Sequence, residues 1–153
     1  MTIDTTKGFT LARNIDATPI EIWEAWTNPD ETAHWWHPAG FSTPREDVRI
    51  DARVGGRYSC TIVNDATGER YPTGGEYREV VPPEKLVFTW GSPDDDPDDC
   101  PLVTVTIRDL GELTRLTFDL RGYDGLSGDD VHDGWDSVLD ALISHLGQTD
   151  VFG

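Results

Sequence analysis

The run His34-Trp35-Trp36-His37 sets two imidazoles around two indoles, with Asp30 four residues before His34 and Pro38 directly after His37. On a helix those three polar positions share a face and could offer nitrogen and oxygen donors to a zinc ion completed by water. No further histidine or cysteine is close in sequence, since His132 and His145 belong to a distant helical segment. The donor set is short by one, and no metal or cofactor is expected. In the stretch Ser92 to Pro101, Asp94, Asp96 and Asp98 match the first three ligand spacings of a calcium loop. Asp99 stands where the loop needs glycine, and Val105 where it needs glutamate. The stretch reads as a solvated acidic loop that also discourages pairing between sheet edges. His132 and Asp136 lie one helical turn apart and could form a base with its orienting acid. No nucleophile elbow and no glycine-rich phosphate loop accompanies them. No catalytic residue is assigned, and the reading leans away from an enzyme.

These residues sit in a chain of 153 residues with a net charge of −17, two lysines (Lys7 and Lys85) and ten arginines. Length and composition predict one globular domain, residues 1–153, with its core over about 9–147. The negative surface weighs against nucleic acid and anionic membranes as partners. The near-absence of lysine suits either a salt-rich cytoplasm or a GC-rich genome. No apolar run is long enough to span a bilayer, and the start lacks the basic-then-apolar pattern of a secretion signal. Cys60 and Cys100 share no zinc or redox spacing. A cytoplasmic protein with reduced thiols is the expectation.

The elements follow from periodicity. Phe9 to Asp16 alternates as a strand. Thr18, Pro19 and Glu21 form a helix start with a capping box, and Ile22, Trp23 and Trp26 make its apolar stripe. "NPDE" at Asn28 repeats the start signal, which predicts a second short helix from Pro29 to Trp36. Alternation then predicts six strands over Val48–Val54, Tyr58–Ile62, Glu69–Val80, Leu86–Trp90, Val103–Ile107 and Leu116–Leu120. Gly55-Gly56 reads as a tight hairpin, and Pro82-Pro83 as a break. Val131, Trp135, Val138, Leu139, Leu142, Ile143 and Leu146 change to helical spacing, with Ser127 and Asp130 as the cap and Gly147 as the stop. Strand, two short helices, an antiparallel meander and a long helix make an α+β layered fold.

This order, with the words "IDATPIEIWEAWTNPDETAHWW", "VGGRYSC", "GGEYREVVPPEKLVFTW", "VTVTIRDLGELTRLTF" and "HDGWDSVLDAL", resembles the Activator of Hsp90 ATPase homologue family of the START-like (SRPBCC) superfamily. The resemblance implies a helix-grip, Bet v-like fold: a curved antiparallel sheet wrapped around the long C-terminal helix, with an elongated apolar cavity between them. A Trp-Trp pair is common in this family, so the doublet is a fold signature. The wider superfamily holds lipids, sterols, polyketides or plant hormones in that cavity, and some relatives are cyclases or hydrolases.

Neighbours on a helix point ~100° apart, so Trp35 and Trp36 cannot both enter the same core. One seals the sheet, and the other reaches the cavity mouth. Strand parity turns Tyr58, Cys60, Tyr77, Phe88, Trp90 and Phe118 toward the helix, opposite His132, Trp135, Leu139 and Leu142. Singly these are core residues; together, around a curved sheet, they describe the wall of an apolar pocket. The expected function is non-enzymatic binding of a small apolar molecule, with room for a homodimer. A protein-interaction module regulating a chaperone ATPase is the second reading, and a cavity hydrolase or cyclase the third. Only ~8 residues precede the first strand pattern, too few for the extra domain of a chaperone activator.

A surface this acidic repels itself, and ~1 M salt shortens the screening length to ~3 Å. The melting temperature should rise from low salt to molar KCl; a flat or falling curve would show that the charges are already dispersed.

Overall fold

A computed structural model describes residues 8–122 and 128–151. The chain runs β1 (Gly8–Ile15), α1 (Pro19–Thr27), α2 (Pro29–Thr32), β2 (Phe41–Ser42), β3 (Arg49–Ile50), β4 (Arg57–Asn64), β5 (Arg70–Val81), β6 (Lys85–Thr89), β7 (Leu102–Asp109), β8 (Thr114–Arg121) and α3 (Gly128–Val151). The strands form one antiparallel sheet in the order β1-β8-β7-β6-β5-β4-β2, with β3 also on β4. Among the described residues no helix is long and apolar enough to cross a membrane.

The start of α1 forms as its sequence dictates. The Thr18 hydroxyl accepts from the Glu21 amide and the Glu21 carboxylate from the Thr18 amide, both at 3.2 Å. Two otherwise unpaired donors are thereby satisfied. Asn28 then serves both short helices: its amide donates to the Glu24 carbonyl (2.8 Å), and its side chain accepts from Asp30 N (3.0 Å). The second helix is shorter than expected. Regular α-helix stops at Thr32, and the chain continues in hydrogen-bonded turns to Trp36, whose amide reaches the Thr32 carbonyl at 3.0 Å.

Three further expectations change. The strand predicted over Val48–Val54 pairs with β4 only at Arg49 and Ile50. Residues 51–56 instead form a loop closed by Asp51 N on the Arg57 carbonyl (3.0 Å), with Gly55 in the left-handed region at φ 83°. Gly56 lies so close to the Asp51 carbonyl that a Cβ would come within 2.1 Å of it, so the glycine pair shapes a tight loop rather than a two-residue hairpin. Strand β2, two residues held on Asn64 and Val63, is too short to carry a period. Gly147 does not end α3, which continues to Val151. No proline follows to break the helix, and an interior glycine costs it only ~1 kcal/mol. The Ser127 cap lies outside the described residues.

The concave face of the sheet packs against the helices. Leu116, Phe118 and Leu120 of β8, Val103 and Val105 of β7, and Phe88 of β6 are buried against Trp26 of α1 and Trp135, Leu139 and Leu142 of α3. Arg13 of β1 pairs with Asp136 of α3, tying the edge strand to the helix.

Strand β5 has two partners. Its first half, Arg70–Glu76, pairs with β4, and its second half, Tyr77–Val81, with β6, with a register shift between Tyr77 and Glu79. Only an isolated Gly74↔Gly91 bridge continues the second pairing. Gly75 sits at the crossover. A Cβ there would come within 1.9 Å of the Thr89 carbonyl, which already accepts the Tyr58 hydroxyl at 2.7 Å. Neither neighbour can retreat, because Thr89 Oγ1 also accepts from Glu76 N at 2.9 Å. Gly75→Ala should therefore destabilise by at least ~1–3 kcal/mol, the range for overpacking; a denaturant midpoint equal to wild type would show that the crossover yields.

Candidate functional site

The tryptophan doublet divides its work. Trp35 is fully buried, and its Nε1 donates to the Ala25 carbonyl at 2.9 Å. The Thr32 hydroxyl donates to the same carbonyl at 2.8 Å, so α2 and its following turns are stitched onto α1. Trp36 points elsewhere. Its ring meets those of Trp26, Tyr58, Phe88 and Trp135 at 5.5–5.9 Å, and its outer side lines an open cleft. The Thr43 hydroxyl donates to the Trp36 carbonyl at 2.7 Å and holds its backbone. Trp36 is thus the member of the pair at the cavity mouth.

The cleft encloses about 640 Å³, within the usual range for small-molecule sites. One wall is α3, through Val131, Gly134, Trp135 and Val138; the other is the segment with Pro38 and Phe41 together with Ile62, Tyr71, Thr73 and Trp90. Ala39 N donates to Ser137 Oγ at 2.9 Å, which pins the 38–41 segment to the helix. Tyr71 is 44% exposed and marks the open side.

Of the residues expected to line a pocket, Trp36, Trp90 and Trp135 do so here. Trp35, Tyr58, Cys60, Tyr77, Phe88, Phe118, Leu139 and Leu142 are packed into the core. Parity correctly turns them inward, but it cannot say how deeply the helix is seated. Leu139 and Leu142 have no exposed surface, so the middle of the concave face is filled and the space lies at its flank. His132 faces away from the cleft lining: its ring packs edge-on against Phe9 at 5.0 Å, and its Nδ1 lies 3.3 Å from Asp133. Asp136, which could have paired with His132 by spacing, is instead engaged by Arg13. Gly134 is the missed signal. A glycine within an apolar helical face costs helix stability, and here a Cβ would meet nothing within 4 Å.

The buried polar side chains in the core behind the cleft offer little chemistry. Burial pushes the Cys60 thiol up to about 11 and lifts the Tyr58 and Tyr77 hydroxyls above their ordinary range, so all three stay protonated at neutral pH. The Cys100 thiol is raised by burial and then by Asp95, Asp99 and Asp96. A thiol kept protonated is a poor nucleophile. Among the described residues no group of three or more His, Cys, Asp or Glu side chains could hold a metal ion. His34 stacks on His145 at 5.3 Å, and His145 Nε2 lies 3.0 Å from Glu31 Oε1, which joins the α2 segment to α3.

The family model for Activator of Hsp90 ATPase homolog 1-like protein matches residues 16–147. The chain belongs to this family. Its fold is the START-like helix grip, and solved structures agree. A protein from Chromobacterium violaceum is similar with a TM-score of 0.80 and 27% identity, over 92% of this chain and 97% of that one. The AHSA1 protein from Silicibacter pomeroyi is similar with a TM-score of 0.81 and 26% identity, over 94% and 99%. A Nitrosomonas europaea protein at 20% identity and a TM-score of 0.80, over 97% and 99%, shares the fold. No curated protein sequence matches the chain.

His37 gives the site margin a pH dependence. The Thr43 hydroxyl proton is committed to Trp36, so His37 Nδ1, 3.1 Å from Thr43 Oγ1, must be the donor there. Burial lowers the His37 pKa and His34 adds to this, while Asp65 opposes them. A lowered pKa means that the unfolded chain binds the proton more readily than the fold. The His37 contribution is full above the unfolded value of about 6.5 and is lost as pH falls toward the lower folded value. Stability measured by denaturant at pH 7.5 and 5.5 should drop less in His37→Gln than in wild type; equal drops would assign the loss to other groups.

Proposed function

We propose that the protein is a non-enzymatic carrier or sensor that binds a small apolar molecule in the flank cleft between α3 and the 36–41 segment. The observation that carries this reading is the lining itself. Trp36, Phe41, Ile62, Trp90, Trp135 and Val138 surround an open space that the core does not fill. An apolar ligand there would release poorly held water and bury aromatic surface. No metal or cofactor is needed for this binding.

A second reading, a protein-interaction module acting on a chaperone ATPase, rests on the family description. Ile20, Leu110 and Leu113 favour it: they are exposed beside a groove lined by Pro19, Asp109 and Glu112.

The test uses the uncharged probe N-phenyl-1-naphthylamine with tryptophan emission as readout. One site per chain is expected. Gly134→Trp should abolish binding while leaving the melting temperature near wild type, because the new side chain enters open space. Leu139→Trp should instead cost ~1–3 kcal/mol, because Leu139 is already packed. Probe binding unchanged in Gly134→Trp would remove the cleft as the site. Absence of probe binding in wild type would give the lead to the interaction module.

A further inference from the structure

The walls of the cleft specify more than an apolar occupant. Resting on the binding reading above, we infer that the occupant carries a positively charged ammonium head on its apolar body, held by an aromatic corner and an adjoining acidic hollow.

The aromatic corner is the first support. The Trp135 ring meets Trp36 at 5.5 Å and 81° and Trp90 at 5.4 Å and 69°. Three indoles at steep angles to one another line this corner of the cleft. Across from them Phe41 and Tyr71, 6.1 Å apart, form the rim. The negative face of an aromatic ring attracts an ammonium group, tryptophan most strongly, and cages of several rings suit quaternary ammonium in particular. A purely aliphatic ligand would gain none of this charge–quadrupole attraction.

The second support lies at one end of the same cleft. Thr73 and Trp90 also line a second hollow of about 540 Å³, whose other walls include Ser92, Asp95, Asp96, Asp99 and Cys100. The two spaces therefore adjoin at Thr73 and the Trp90 indole. Asp95 accepts from Ser92 N and Asp96 from Asp98 N, each at 3.0 Å, so the loop fixes both carboxylates in place. Among the described residues neither forms an ion pair, whereas Asp98 is taken by Arg78 at 2.7 Å. The Cys100 thiol in the wall of this hollow is raised first by burial, with Asp95, Asp99 and Asp96 adding to it. Arg57 acts on that thiol in the opposite sense, but its guanidinium donates to the Pro93 carbonyl at 3.3 Å. Among the described residues no lysine or arginine lines either space. A carboxylate, sulfate or phosphate head would meet like charge and no partner, which disfavours fatty acids and phospholipids as ligands.

The decisive comparison is between three small molecules of one shape: benzyltrimethylammonium, its uncharged isostere neopentylbenzene, and benzylsulfonate. Each competes against N-phenyl-1-naphthylamine on the full chain at about 0.1 M KCl, an ionic strength with a ~10 Å screening length. The ammonium should displace the probe at about tenfold lower concentration than the isostere, and the sulfonate should be weakest. Asp95→Asn with Asp96→Asn keeps the loop acceptors and should remove most of that advantage without changing probe affinity. Asp109→Asn with Glu112→Gln, at the separate groove beside α1, lowers the overall charge equally and should leave the advantage intact. An isostere or sulfonate that competes as well as the ammonium would overturn the inference while the cleft reading stands. Equal loss in both double variants would overturn it as well, by assigning the preference to net charge. Failure of the uncharged probe itself to bind would instead sink the cleft reading.

Discussion

The packing of Trp36 governs the rest of the molecule. Its indole packs into the core against Trp26, Tyr58, Phe88 and Trp135 and also borders the cleft. It can serve both only because its backbone is held in place. The capping residues of α1 and α2, the Trp35 and Thr32 bonds to Ala25, and the Thr43 bond to the Trp36 carbonyl all contribute to that hold. Aromatic pairs in such edge and tilted geometries contribute ~0.5–1.5 kcal/mol beyond their buried area. One cost is visible. Among the described residues Trp26 Nε1 is a buried donor with no hydrogen-bond partner, enclosed by the rings of Trp35, Trp36, Phe88 and Phe118. Packing several indoles together leaves little room for an acceptor.

The fold was largely legible because its signals are local. The Thr18–Glu21 capping box, the alternation in Thr114–Arg121 and the helical stripe from Val131 to Leu146 each depend on residues a few positions apart. The failures share the opposite property. The pairing of Arg49 and Ile50 is cut short by a loop whose path depends on the Asp51 carbonyl lying over Gly56. Strand β2 exists only because β4 is there to hold it.

The site was less legible for a related reason. Parity tells which side of a strand faces inward, but the distance between sheet and helix is set by the sum of the side chains between them. Leu139, Leu142, Phe88 and Phe118 fill that distance completely. Among the described residues the cleft opens where small residues meet a bend: Gly134 on the helix, and Thr73 beside the Gly74-Gly75 crossover of β5. Gly75 lets the strand press against Thr89, and the same crowding turns β5 from one partner to the other. The cleft is thus a product of misfit between a curved sheet and a straight helix, displaced from the centre to the flank by a well-filled core.

The pairing of β1 with β8 has a consequence for how the chain reaches this state. The register joins Ile15 to Thr114 and Gly8 to Arg121, so the first strand made must wait for the last. At a synthesis rate of roughly 5–20 residues per second, β1 remains without its partner for about 5–20 s after it leaves the ribosome. During that interval Leu11 and Ile15, buried in the finished protein, have no sheet to cover them. Pairings of such long range also make the closing step slow relative to local helix formation. The nascent chain therefore passes through a stage with an unpaired strand edge, and its dense negative charge, of no use to the core, keeps such chains apart from one another.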